Sequence, residues 1–301
     1  MDMCDTDNRR SRLSSWIEAM RLRTLPVSVG GVVMGCGLAA MYGGFRAVPA
    51  LLCLVFAVLA QVASNFANEY YDYRDGLDRP GREGPRRGVT EGDITPRAMF
   101  RATFVTLGTA GAVGCGLIYY GGWWMLPAGI ALALLAIGYS AGPYPLSRHA
   151  LGELTVVICF GLVPVTLTYY VQTHDFNGTV VAAGLAAGLM GANVLIVNNY
   201  RDMDDDRAVG KITLELIVGS VCSRIMYAVN GVAAMALLWP VWRALLPWGL
   251  IVPAGYLCLH FAGCSRLACD RGRALNPLLG FTSKIMFLAC AATAVMAALS
   301  R

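Results

Sequence analysis

Two strings of carboxylates in an otherwise apolar chain carry the residues that could do chemistry. NEYYDYRDGLD (68–78) holds Glu69, Asp72, Asp75 and Asp78, and NNYRDMDDD (198–206) holds Asp202, Asp204, Asp205 and Asp206. Aligned, the strings share N-x-Y-x-D-x-x-D at an interval of 130 residues, so that Asn68 matches Asn198, Asp72 matches Asp202 and Asp75 matches Asp205. On a helix, residues four apart share a face. Asn68 therefore stands over Asp72, and Asn198 over Asp202 and Asp206. Two such faces turned toward each other make a cage of oxygen donors. Oxygen-only donors suit Mg²⁺, which is commonly shared with substrate phosphates. Arg86, Arg87, Arg201, Arg207 and Lys211 flank the acids and supply charge for phosphate oxygens that the metal does not reach. The pattern describes a diphosphate site.

The elements that must position these residues read as membrane helices. Charged residues make up 14% of the 301 and hydrophobic ones 56%, with a mean hydropathy of +0.56. Soluble domains carry about 25% charged residues, so the composition opposes a soluble fold with a large core of buried helices. Nine apolar stretches approach the length of a membrane crossing. They lie near 24–42, 48–69, 100–119, 123–141, 153–171, 179–199, 217–238, 245–262 and 280–299. The first lacks a small-residue cleavage site and reads as a retained helix rather than a signal peptide. The expectation is an all-α membrane protein, a bundle of about nine transmembrane helices with its active-site cavity on the cytoplasmic side. Residues 1–301 form one polytopic domain of two pseudo-repeated halves, with acid motifs at 68–78 and 198–206.

Charge placement orients the bundle. Loops 1–23, 70–101, 142–152, 200–224 and 263–284 fall on one side and hold 21 of the 24 Lys and Arg, leaving Arg46, Arg243 and Arg301 for the other. The positive-inside bias puts the N-terminus in the cytoplasm and the C-terminus outside, in a cell (inner) membrane. Loops 70–101 and 200–216, with the helix ends entering them, hold 12 of the 19 acids. The ten cysteines are scattered, with no C-x-x-C pair. They read as small buried hydrophobes, not zinc ligands or disulfides.

A diphosphate site at the rim of an apolar bundle implies a lipid tail on the diphosphate. Departure of diphosphate from an allylic carbon leaves a cation. A metal neutralises the leaving charge, and aromatic faces such as those of Tyr70, Tyr71, Tyr139 and Tyr144 support the carbon.

These residues resemble the UbiA superfamily of intramembrane prenyltransferases, and within it the 1,4-dihydroxy-2-naphthoate polyprenyltransferase branch. The likeness runs along nearly the whole chain: WIEAMRLRTLPVSVGGVVMG (16–35), the first acid motif with GPRRGVTEGDITPRAM (84–99), GPYPLSRHALGEL (142–154), TYYVQT (168–173), NNYRDMDDDRAVGKITL (198–214) and LNPLLG (275–280). The acid motifs mark the superfamily, and GPRRG and GPYPL point to the branch. The resemblance implies Mg²⁺ held by Asn68, Asp72, Asp78, Asn198, Asp202 and Asp206, with Asp72, Asp202 and Lys211 central to catalysis. Arg86, Arg87, Arg207 and Lys211 match basic positions of the same motifs; Arg201 and Tyr139 complete the substrate set. Glu69 stands where the family has Asp and is left out of the ligand set, and Ile212 replaces a basic residue.

The implied reaction moves a polyprenyl group from polyprenyl diphosphate to 1,4-dihydroxy-2-naphthoate, with loss of carboxylate, giving a demethylmenaquinol. The implied partners are these two substrates and the lipid bilayer, with no nucleic acid. Arg21, Arg23 and Arg148 lie at cytoplasmic helix ends, where they either attract the naphthoate carboxylate, Arg148 foremost because it is distant in sequence from both acid motifs, or serve as plain positive-inside anchors. Acceptors such as 4-hydroxybenzoate or homogentisate remain open. A CDP-alcohol phosphotransferase is opposed by Arg79-Pro80 where its D-x-x-D-G-x-x-A-R signature needs Ala-Arg. A transporter is opposed by segment centres nearly free of ionisable residues.

Overall fold

The structure is a computed structural model that describes residues 12–244 and 246–300. Residues 1–11 and 301, on which the reading of both termini rests, lie outside the described residues. Among those described, seven helices are long and apolar enough to cross a membrane. Two further apolar helices are shorter. In chain order they are α1 (Leu25–Met41), α2 (Ala47–Arg74), α3 (Pro96–Gly121), α4 (Met125–Gly138), α5 (Gly152–Thr173), α6 (Gly178–Arg201), α7 (Leu214–Ala244), α8 (Trp248–Cys269) and α9 (Gly272–Leu299). The nine stretches read from sequence thus become seven full-length spans plus α1 and α4, with 17 and 14 residues. Each of these two is shorter than the roughly 20 residues that a crossing needs.

The chain is a multi-pass membrane protein, and its surface shows why. Large apolar side chains face outward along the helices, including Val105, Leu134, Val229 and Val295. One end of the bundle carries an aromatic belt: Tyr119, Trp123, Trp124 and Trp248 are exposed there, and Trp124 packs edge-on against Tyr170. Aromatic residues favour the membrane–water interface. The acid motifs lie at the other end.

α1 runs through the middle, packed on α2, α5, α6 and α9, while α6 is the most deeply buried span. Glycines set these distances. On α6, Gly184 and Gly188 form a small-x-x-x-small surface that lets backbones approach. A Cβ on the facing Gly161 of α5 would stand 2.1 Å from the Gly188 nitrogen. α5 is π-helical over Val157–Leu162 at this crossing. Gly161→Ala is therefore expected to overpack the α5–α6 contact, at a cost of about 1–3 kcal/mol. It should lower the thermal midpoint of the detergent-solubilised protein. Gly108→Ala on α3, where an added methyl meets nothing within 4 Å, should leave it unchanged; equal midpoints in the two variants would refute the packing argument.

Candidate active site

The first acid motif is built by the last turn of α2 and the reversal after it. Asn68 donates from Nδ2 to Asp72 Oδ2 (2.9 Å) and to Ser140 Oγ (3.1 Å). Its Oδ1 accepts from Arg21 and from Arg87 (3.3 Å). Gly76, at φ +71°, takes the left-handed turn that ends the helix. The Leu77 and Asp78 amides then donate back to the Asp72 carbonyl (2.8 and 3.4 Å). That reversal sets Asp78 beside Asp72, as no helical spacing would.

The second motif straddles the end of α6. Asp202 caps the helix, and a short helix, Met203–Ala208, continues from it. Arg201 grips Asp202 through Nε and Nη2, both at 2.7 Å, and also donates to Asn198 and Asn276. Gly210, at φ +72°, reverses the chain so that Lys211 Nζ reaches both oxygens of Asp206 (3.2 and 3.3 Å).

Arg82 joins the motifs. Its Nη1 pairs with Asp78 of the first, and its Nη2 with Asp202 of the second at 2.9 Å. Loop 78–84 is further fixed to the second motif by the Glu83 amide, which donates to Asp205 Oδ2 (3.0 Å). The Ala150 amide donates to the Ile212 carbonyl (3.1 Å) and ties the α4–α5 loop to the Lys211 loop.

Burial sets the electrostatics. Asp78, buried next to Asp72, is pushed up to about 6 by loss of solvation, against the pull of Arg82. Burial also raises Asp206 despite Lys211. Asp202 is buried too, yet the Arg201 hydrogen bonds and Arg82 outweigh that and hold it below the usual carboxylate value. Asp75 is held low by Arg74 and then by Arg148.

Below this rim lies a cavity of about 470 Å³. Arg21, Asn68, Asp72, Asp78, Arg82, Arg87, Asn198, Asp206 and Lys211 line its polar end, and Val32, Phe56, Leu117, Met125, Leu132 and Phe160 its apolar body. Tyr139 also lines it, alone among the four tyrosines read as candidates. Tyr70 packs on Phe100, Tyr71 against Ala67, and Tyr144 stacks on His149.

Several sequence expectations are redirected by the geometry. Arg148 is not remote from the acid motifs: it pairs with Asp75 (2.7 Å) and Asp72 (3.6 Å) and donates to the Ser140 carbonyl. The fold of loop 142–148 returns it to the first motif, so its charge is already committed to carboxylates. Arg148→Ala is accordingly expected to lower kcat about tenfold, equivalent to about 1.4 kcal/mol, with both KM values changed by similar factors. A rise in KM confined to the aromatic acid would return Arg148 to the acceptor. Arg207 points into water beside Asp204, because one residue beyond Asp206 turns it to the helix's other face. Arg201 and Asp202 are buried and do not line the cavity; Arg201 has spent its donors on Asp202, Asn198 and Asn276. Arg86 pairs with Asp93 (2.6 Å) away from the rim. Glu69 accepts from the Val89 amide (3.1 Å) and holds the loop from inside.

Arg82 does not stand out in the sequence: loop 70–101 holds six acids and seven arginines, so its charge balance singles out none of them. Among the described residues, no three acid, histidine or cysteine side chains converge closely enough to hold a metal by themselves. The donor set nevertheless fits a hard cation shared with phosphate oxygens. Asp72 Oδ1 and Asp78 Oδ2 are buried carboxylate oxygens with no hydrogen bond.

The UbiA prenyltransferase family matches residues 28–289. The 1,4-dihydroxy-2-naphthoate octaprenyltransferase of Escherichia coli (strain K12) is 35% identical over 230 residues, 74% of each chain. The enzyme of the same name from Haemophilus influenzae is 31% identical over 92% of this chain and 93% of its own. A solved UbiA homolog from Archaeoglobus fulgidus, bound to GPP and Mg²⁺, superposes with a TM-score of 0.59 at 16% identity, covering 93% of this chain and 99% of that one. The structural likeness is one of fold.

Proposed function

Because the chain belongs to the UbiA prenyltransferase family, we propose that its cavity transfers a polyprenyl group from polyprenyl diphosphate to 1,4-dihydroxy-2-naphthoate, with decarboxylation to a demethylmenaquinol. The chain is a prenyltransferase. The acceptor is supported by the names of the Escherichia coli and Haemophilus influenzae relatives. The observation that carries the reading is Arg82 bridging Asp78 and Asp202 at the polar end of an otherwise apolar cavity. One end of that space suits a charged head and the rest a prenyl tail.

Mg²⁺ is the proposed cofactor, supported by the A. fulgidus homolog's ligands and by the oxygen-only donors here. Asn68, Asp72 and Asp78 would hold it from one side, and Asn198 and Asp206 from the other, with Asp202 behind them engaged by Arg201 and Arg82. When bound, it neutralises charge on the departing diphosphate.

The chain's own residues supply the rest. Arg21, Arg87 and Lys211 face the rim and stabilise the diphosphate oxygens. Arg201 and Arg82 keep Asp202 ionised and placed. The apolar walls exclude water from the allylic cation, and the Tyr139 ring offers it a π face. The electron-rich naphthoate ring attacks that carbon, the new carbon–carbon bond forms, and the carboxylate leaves as CO₂.

The proposed setting is the cell (inner) membrane with the acid loops cytoplasmic, supported by the charge distribution. Thiol labelling of a cysteine placed at residue 301 should succeed from outside the cell; labelling from the cytoplasm alone would reverse the orientation. The activity is tested on membranes given a labelled polyprenyl diphosphate and candidate aromatic acids, with and without Mg²⁺. Label should enter 1,4-dihydroxy-2-naphthoate in the presence of Mg²⁺ and not after chelation. Preferential labelling of 4-hydroxybenzoate or homogentisate would overturn the acceptor.

A further inference from the structure

A second cavity of about 280 Å³ adjoins the first. Five arginines line it, Arg79, Arg82, Arg86, Arg87 and Arg273, against two glutamates, Glu83 and Glu91. Arg82 and Arg87 wall both cavities, so the two spaces share a partition made of guanidinium groups. Arg79 and Arg273 line only the outer space, Arg79 held by a backbone carbonyl and Arg273 by backbone carbonyls and by Glu83 (3.6 Å). Arg79 donates to Ala208 (3.2 Å) and Arg273 to Gly81 (2.6 Å). Each guanidinium has five N–H donors, so both keep donors to spare. Four of the five are partly answered by carboxylates: Arg82 by Asp78 and Asp202, Arg86 by Asp93, Arg87 by Asp78 and Arg273 by Glu83. Arg79 is held by a backbone carbonyl, which leaves its charge for an anion, and planar guanidinium forks match phosphate oxygens well.

We propose that this outer cavity is a holding site for inorganic diphosphate, which crosses the Arg82–Arg87 partition from the acid rim on its way to water. The assignment rests on the prenyl-transfer reading for the origin of the anion, while the anion site itself stands on the arginines. It separates two tasks: the rim binds diphosphate while it is esterified, and the outer arginines bind it once it is free. The departing anion leaves on the aqueous side and the prenylated product stays in the apolar body, so neither blocks the other.

The test uses the full chain in detergent, with Arg79→Ala, Arg273→Ala and the double variant. Inorganic diphosphate, and inorganic phosphate in a parallel arm, are titrated calorimetrically without Mg²⁺. Product inhibition by diphosphate and the KM for polyprenyl diphosphate are measured in turnover. The double variant should bind inorganic diphosphate about tenfold more weakly, with diphosphate inhibition weakened to match and KM within about twofold of wild type. Phosphate should bind more weakly than diphosphate throughout. Unchanged diphosphate affinity, or a KM that rises in step with it, would overturn the separate site; so would equal affinity for phosphate. Arg273 also anchors loop 81–84, so Arg79→Ala, which gives up one contact, is read by itself and should weaken diphosphate binding in the same direction. If wild type transfers no prenyl group yet binds diphosphate in an Arg79- and Arg273-dependent way, the prenyl-transfer reading falls and the anion site stands.

Discussion

Asp72→Asn should lower prenyl transfer several hundredfold while the protein remains folded and membrane-inserted. The substitution is nearly isosteric, and an amide oxygen can still accept from Asn68, which holds Asp72 Oδ2 at 2.9 Å. What disappears is the charge. Asp72 is buried, faces the cavity and has one oxygen without a hydrogen bond. A loss of about 3–4 kcal/mol in the transition state would reduce the rate several hundredfold. Asp202→Asn should be as damaging to turnover by a different route. Asp202 does not line the cavity; it holds Arg201 and Arg82. Weakening a buried ion pair also costs stability, so Asp202→Asn should lower the thermal midpoint where Asp72→Asn does not. Steady-state rates and melting curves on the two variants separate these roles. Near-normal turnover in either would remove the proposal that both motifs serve one site.

The sequence made the helices and acid motifs legible for simple physical reasons. Apolar stretches of crossing length have few other uses, and a pattern as specific as N-x-Y-x-D-x-x-D, repeated, points to shared geometry. It did not show that the third and fourth stretches differ in length, because α3 extends four residues before Phe100 while α4 stops at Gly138. Nor did it show what the loops do with their charges. Asp78 reaches Asp72 only through the turn at Gly76, and Lys211 reaches Asp206 only through the turn at Gly210. Arg207 looked equivalent to its neighbours in the string, yet one helical step sends it to solvent. Arg148 looked distant, yet loop 142–148 returns it to Asp75. Periodicity reports on helix faces; it is silent about where a loop of 21 residues between α2 and α3 will lay its arginines.

Arg82 is where that silence mattered most, and Arg82→Ala should lower turnover about a hundredfold or more. Its guanidinium is the direct link between the two motifs, largely buried, with one nitrogen on Asp78 and another on Asp202. Removing it leaves Asp78 with Arg87 and Asp202 with Arg201, two buried carboxylates one positive charge short. Breaking a buried pair in this way costs about 3–5 kcal/mol. Part of that is lost packing, and part is the field that the departing diphosphate meets. Added guanidinium ion tells these apart. It can enter the space left by the side chain and restore the charge, so it should recover a measurable fraction of the Arg82→Ala rate. It should not help Asp72→Asn, which lacks an anion rather than a cation. Arg82→Lys should fall between, because a single ammonium cannot span both acids as the planar fork does. If Arg82→Ala turns over normally, the bridge is incidental to the reaction. If its rate is low but indifferent to guanidinium while its melting curve collapses, Arg82 holds the two halves together and does nothing further for the leaving group.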